Sequence, residues 1–113
     1  MTTHQMKLAV VPFGKVANGT KTIESRLYDE KRQQIKLGDR IEFICKDNPT
    51  KKVTTIVKAL YLYPDFVSMF SDFSPPYFGG VLKEEILKEI EAFYSKDEQA
   101  KYGVVGIKIE SVR

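Results

Sequence analysis

The alternation of apolar and polar residues divides the chain into short segments, most of them with the period of a β-strand. Residues 5–11 read as a first strand, with Leu8, Val10 and Val11 apolar and Pro12 ending it by removing a ladder donor. Residues 12–19 suit one or two helical turns: Pro12 starts them, Phe13, Val16 and Ala17 form an i, i+3, i+4 stripe, and Asn18-Gly19 stops them. Residues 21–28 alternate again, with Thr22, Glu24 and Arg26 on one face and Ile23, Ser25 and Leu27 on the other. Residues 29–34 are wholly polar and form a surface turn or a short exposed helix. Gly38-Asp39 is a turn signal. Residues 40–45 follow as a strand with Ile41, Phe43 and Cys45 on one face, and residues 47–51 suit a hairpin connection. Residues 52–63 are the longest β-prone run. Ala59 near its middle marks a bulge or bend, and a strand of this length curves in a closed or half-closed barrel.

The period then changes. Pro64-Asp65 starts a helix in which Phe66, Met69, Phe70 and Phe73 recur at i, i+3, i+4 and i+7. The loop of residues 74–80, aromatic and rich in proline and glycine, breaks it. Residues 81–94 are the clearest helix, with Leu82, Ile86, Ile90 and Phe93 along one side and a Glu84–Lys88 pair. Ser95 and Glu98 fit a capping box, which predicts one more short helix before Tyr102-Gly103. Residues 104–112 close the chain as a strand. There is no internal repeat. This order indicates an α+β fold: a mixed, curved sheet or small β-barrel with helices packed across one opening. The length, 113 residues, fits one domain spanning 1–113 with a single core.

Composition narrows the chemistry. With 42% hydrophobic and 29% charged residues the chain reads as a soluble globular domain, and no apolar run approaches the roughly 20 residues of a membrane span. The N-terminus has neither the basic nor the apolar region of a signal peptide. The lone Cys45 lies in an apolar alternating run and is read as a buried structural thiol, which places the protein in the cytoplasm. The only histidine, His4, falls in an N-terminus expected to fray. With it go the zinc-site spacings and the Ser–His or Cys–His pairs, and no phosphate-binding glycine loop is present. Neither a metal nor a cofactor is expected.

Charge is uneven. Residues 1–60 hold 12 Lys/Arg against 6 Asp/Glu, and residues 61–113 hold 6 against 9. A basic half suits an anionic partner such as RNA, or simply reflects solvated loops. Lys21, Glu24 and Arg26 are the remaining candidates for chemistry. They fit an acid/base pair, an anion site in which Glu24 holds Arg26, or a plain surface ion pair. Of the 13 aromatic residues, Tyr28 and Tyr77 are the preferred base-stacking candidates, and most others belong to the core or a cleft wall.

The combination Gly19-x-Lys21-x-x-Glu24-x-Arg26, then Lys36-x-Gly38-Asp39-x-Ile41-x-Phe43, then Tyr94-Ser95, Glu98 and Tyr102-Gly103-Val104-Val105 resembles the ASCH domain of the PUA-like superfamily. The resemblance runs from about residue 6 to residue 110. It implies a PUA-like mixed β-barrel with helices beside it and a cleft that binds RNA or a nucleotide-like ligand. Lys21, Glu24 and Arg26 would line that cleft. Gly19 would allow the tight entry into the strand, and Gly38 and Asp39 would form a supporting turn. One branch of ASCH-like proteins resembles acetylcytidine amidohydrolases. They share the lysine of Lys21 but place a threonine nucleophile where Glu24 stands, and a glutamate before the long helix, where this chain has no acid until Glu84. Thr22 is expected on the Glu24 side. A ribonuclease reading would use Glu24 as base, with Lys21 and Arg26 stabilising charge on phosphate. The resemblance leaves three possibilities open: a binding module, a hydrolase of RNA or nucleosides with Lys21 and Glu24 as catalytic groups, and a protein-binding adaptor using the 74–80 loop.

Overall fold

The computed structural model of the protein describes residues 1–112 and folds them into five strands, four α-helices and two short 3-10 turns. The elements in chain order are β1 (Thr3–Leu8), α1 (Val10–Ala17), β2 (Ile23–Leu27), a 3-10 turn (Arg32–Gln34), β3 (Arg40–Cys45) and β4 (Lys52–Tyr63). They continue with α2 (Phe66–Asp72), a second 3-10 turn (Pro75–Phe78), α3 (Lys83–Glu91), α4 (Lys96–Tyr102) and β5 (Val104–Ser111). The strands form one sheet in the order β1-β3-β4-β5-β2. β1 is parallel to β3 and the other neighbours are antiparallel. This is the expected α+β architecture, a mixed sheet curled into a half-barrel. β4 pairs with β3 through its first part and with β5 along most of its length. Its register slips between Val57 and Ala59, the site expected to bulge.

Curling divides the core in two. The concave side holds Met6, Leu8, Phe13, Val16, Ile41, Phe43, Cys45, Val57 and Ile107, with Cys45 buried as read from its alternation. The convex side of β2 and β5 is covered by α2 and α3 through Ile23, Leu27, Phe66, Met69, Phe70, Phe78 and Ile86. Gly106 in β5 permits that docking, since a Cβ there would lie 2.8 Å from the Met69 sulfur. Local signals account for the helix ends. Asp65 accepts from the Ser68 N–H at 2.8 Å, and Ser95 and Glu98 form both halves of the capping box at 3.0 Å each. Gly19 follows the C-cap of α1 with φ +81°, which suits the sharp entry into β2.

Three expectations fail. β1 stops at Leu8, and Val10 and Val11, expected in the strand, form the exposed first turn of α1. Pro12 sits in that turn, where an N–H has no partner to lose, so it stabilises a helix start rather than ending a strand. His4 is not frayed: it lies in β1, its Nε2 2.8 Å from Asp39 Oδ2. α3 is shorter than residues 81–94. Leu82 is its extended N-cap, and Phe93, expected on the buried stripe, lies past its end and is 73% exposed. Among the described residues no helix is long and apolar enough to cross a membrane, and no cluster of His, Cys, Asp and Glu forms a metal site.

Candidate functional site

β1 and β2 are the two free edges of the half-barrel, and the gap between them is the seam where a full barrel would close. Glu24 and Arg26 pair with Ile107 and Val105, so both point to the concave side, as their alternation requires. The Arg26 Nη2 donates to the Lys7 carbonyl at 3.2 Å, and a side chain thus bridges the seam that no strand pairing closes. Beside this bridge lies a cavity of about 230 Å³. Its polar floor is Lys21, Glu24, Ser25 and Arg26. Leu8, Ala9 and Pro12 form one wall, and Phe70, Phe78, Ile86, Ile90, Phe93 and Tyr94 form the other.

Glu24 organises the floor. It is 3% exposed, its Oε1 lies 2.6 Å from Lys21 Nζ, and its Oε2 accepts from Arg26 Nε at 2.8 Å. Burial pushes its pKa up, but the charges and hydrogen bonds of Lys21 and Arg26 outweigh burial and hold the carboxyl below its ordinary range. Burial works against the Arg26 guanidinium as well. Glu24, with Tyr94 as a second partner, raises its pKa instead. The three side chains are 12%, 4% and 14% exposed for Lys21, Glu24 and Arg26, so the plain surface ion pair does not describe them. The cleft as a whole holds four cations, Lys7, Lys21, Arg26 and Lys46, against the carboxylates of Glu24 and Glu89. Gly79 helps to position this floor. Its carbonyl accepts from Lys15 Nζ, and its bare Cα leaves room for the Lys15 and Lys21 stems, whose Cδ atoms would lie 3.3 Å from a Cβ there.

The other expected residues are distributed differently. Tyr28 and Tyr77 do not line the cavity. Tyr28 packs on the concave core and Tyr77 is 52% exposed, contributing its carbonyl to the Thr22 N–H. Thr22 is also outside it, lining the groove between α1 and β4. Gly38 and Asp39 are remote: they precede β3, whereas the cleft adjoins Leu8 and Lys46 at the other end of the β1–β3 pair. Asp39 instead anchors the start of β1. It accepts from His4 Nε2 and from the N–H groups of Lys36 and Thr2, and these bonds, His4 first, lower its pKa to about 2. Tyr102 lies in the convex-side core, and Gly103, φ +70°, ends α4 and accepts from the Tyr28 N–H just past β2.

Sequence reasoning missed Ser25, Glu89 and the exposed Phe93 as lining residues. Ser25 alternates with the charged positions, which assigned it to the opposite face, but an edge strand presents both faces and its backbone edge to a neighbouring gap. No sequence signal shows which strands are edges.

The sequence model of the ASCH domain matches residues 6–113. The fold is similar to the crystal structure of hypothetical protein PH0355, at 34% identity and TM-score 0.86, covering 98% of this chain and 100% of that one. It is also similar to the solution structure of protein PF0455 from Pyrococcus furiosus, at 33% identity and TM-score 0.73, covering 99% of both chains. An ASCH protein of Zymomonas mobilis shares the fold at 14% identity and TM-score 0.70, over 99% of this chain and 72% of that one. No curated protein sequence matches the chain.

Proposed function

The chain belongs to the ASCH domain family, and on that premise we propose that it works as a single ASCH domain whose seam cleft binds RNA or a nucleotide-like ligand. ASCH domains are generally thought to bind RNA. The observation that carries the reading is Glu24, a buried carboxylate that fixes Lys21 and Arg26 side by side on the cleft floor. One carboxylate against two cations leaves the floor positive, and Lys7 and Lys46 extend that charge to the rim. Cations held in place by a buried partner lose little rotamer freedom on meeting phosphate, which favours binding. Apolar walls beside this floor suit a base or ribose, with Tyr94 and Phe93 as the aromatic surfaces in place of Tyr28 and Tyr77.

The hydrolase alternative asks Glu24 to take up a proton. A carboxylate clamped by two cations and held below its ordinary pKa is a weak base, so binding is the better supported role. The test is titration of single-stranded RNA and of free nucleosides and nucleotides into the wild type, Lys21→Ala and Arg26→Ala. Loss of one charged contact is expected to weaken binding about tenfold or more. Equal affinity across the three proteins contradicts the proposal. Turnover of acetylcytidine or labelled RNA that vanishes in Glu24→Gln would restore the hydrolase.

A further inference from the structure

We infer that the backbone N–H and C=O of Ser25, on the free edge of β2, form the base-reading element of the cleft. They would take the Watson–Crick edge of one unpaired nucleobase. The inference rests on the nucleotide-binding reading above and adds to it which group reads the base.

The placement follows from the ladder. In an antiparallel pair, alternate residues direct their backbone groups at the partner strand and those between direct them away. The Ile109 N–H donates to the Thr22 carbonyl at 2.9 Å, and the Tyr28 N–H donates to the Gly103 carbonyl at 3.0 Å. The register between these two bonds is unbroken, with Glu24 opposite Ile107 and Arg26 opposite Val105. Thr22 therefore turns its carbonyl and Tyr28 its N–H to β5, and Glu24 and Arg26 between them face the same way, while the Thr22 N–H goes to the Tyr77 carbonyl and the Tyr28 carbonyl accepts from Gln33 Nε2. Ile23, Ser25 and Leu27 turn theirs toward the seam, where β2 has no neighbouring strand. Of these three, only Ser25 lines the cavity. Ser25 is 9% exposed.

A strand residue shows its N–H and C=O side by side in one direction. That is a donor next to an acceptor, and it matches the ring nitrogen and exocyclic oxygen or amino group on the edge of an unpaired base. Its neighbours Glu24 and Arg26 flank it with the charged groups. The opening suits a base better than a peptide. A peptide adding as a strand needs a run of open edge residues, and here one residue faces a cavity of about 230 Å³.

The test uses uridine and inosine monophosphates, whose rings are neutral, against their N3-methyl and N1-methyl forms, which block that edge. A 5-methyl uridine monophosphate adds the same bulk elsewhere. Affinities are measured on the wild type, on Lys21→Ala and on Ser25→Pro, which removes an N–H that faces away from the ladder, a place where an edge strand tolerates proline. The edge-methylated forms are expected to bind about tenfold or more weakly, the 5-methyl form like its parent, and Ser25→Pro about tenfold more weakly than the wild type. The Ser25 amide proton should move downfield on binding the unmodified nucleotide. Equal binding of parent and edge-methylated forms, still weakened in Lys21→Ala, overturns this inference and leaves the proposed function standing. So does a loss for the 5-methyl form as large as that for the N3-methyl form. Absence of binding by both parent nucleotides overturns this inference, and it overturns the proposed function as well when single-stranded RNA also fails to bind.

Discussion

A carboxylate that is 3% exposed keeps its charge only where opposite charge is fixed close to it, and Glu24 has that on both oxygens. The alternation of Thr22, Glu24 and Arg26 was readable because period 2 is local. Their burial was not, because it depends on α2, α3 and β1 closing around an edge strand. Glu24→Gln removes the charge that two buried cations share, and is expected to destabilise the fold by roughly 3 kcal/mol at neutral pH. Because folding lowers the Glu24 pKa below its unfolded value of 4.5, its contribution is complete above that value and fades as the pH falls through the folded one. Urea unfolding of the two proteins should therefore differ at neutral pH and converge in acid. A difference that persists unchanged at the lowest pH would refute the electrostatic cause. Asp39 follows the same sign. Its pKa falls from 3.8 to about 2, so Asp39→Asn should lose stability at neutral pH and approach the wild type as the pH drops toward 2. Hydrogen exchange at Lys36, which donates its N–H to Asp39, should quicken in that variant.

Among the elements, β3, β4 and α4 were legible to within a residue or so, since each carries its own signal: strict alternation, a long β-branched run, a capping box. α1 was misread at its start because Val10-Val11 favours a strand, and only the tertiary demand for Phe13 and Val16 in the core overrides that preference. The stripe of α3 was misread at its end because the helix stops at Glu91 and leaves Phe93 on the cleft rim. Gly103 was picked out by family resemblance, and its backbone explains the need. With φ +70° and ψ −175° it occupies a region that side-chain-bearing residues avoid, and a Cβ would sit 3.1 Å from the Tyr63 carbonyl. Gly103→Ala is expected to cost about 1–3 kcal/mol in thermal unfolding. No loss would mean that α4 and β5 reposition freely.

At the scale of the whole molecule, the half-barrel leaves one seam, and the cleft lies in it. The class, α+β with a curled mixed sheet, was visible in the element order. Which edges meet was not, because strand order comes from contacts distant in sequence, such as Arg26 on the Lys7 carbonyl. The small cleft admits few phosphates, so RNA affinity should depend shallowly on salt. For two contacts the slope of log K against log salt is about −1.4, and Lys21→Ala should reduce its size by about 0.7. A steep slope would place the RNA on the wider basic surface instead.

Backbone amide NMR of the protein titrated with a single-stranded RNA oligonucleotide tests the central claim most directly. The account predicts that the largest shifts fall on Lys21, Glu24, Ser25 and Arg26, with Leu8 and Tyr94 across the cleft. Shifts confined to the 74–80 loop or to the Asp39 end of the sheet, or none at saturating RNA, would contradict it.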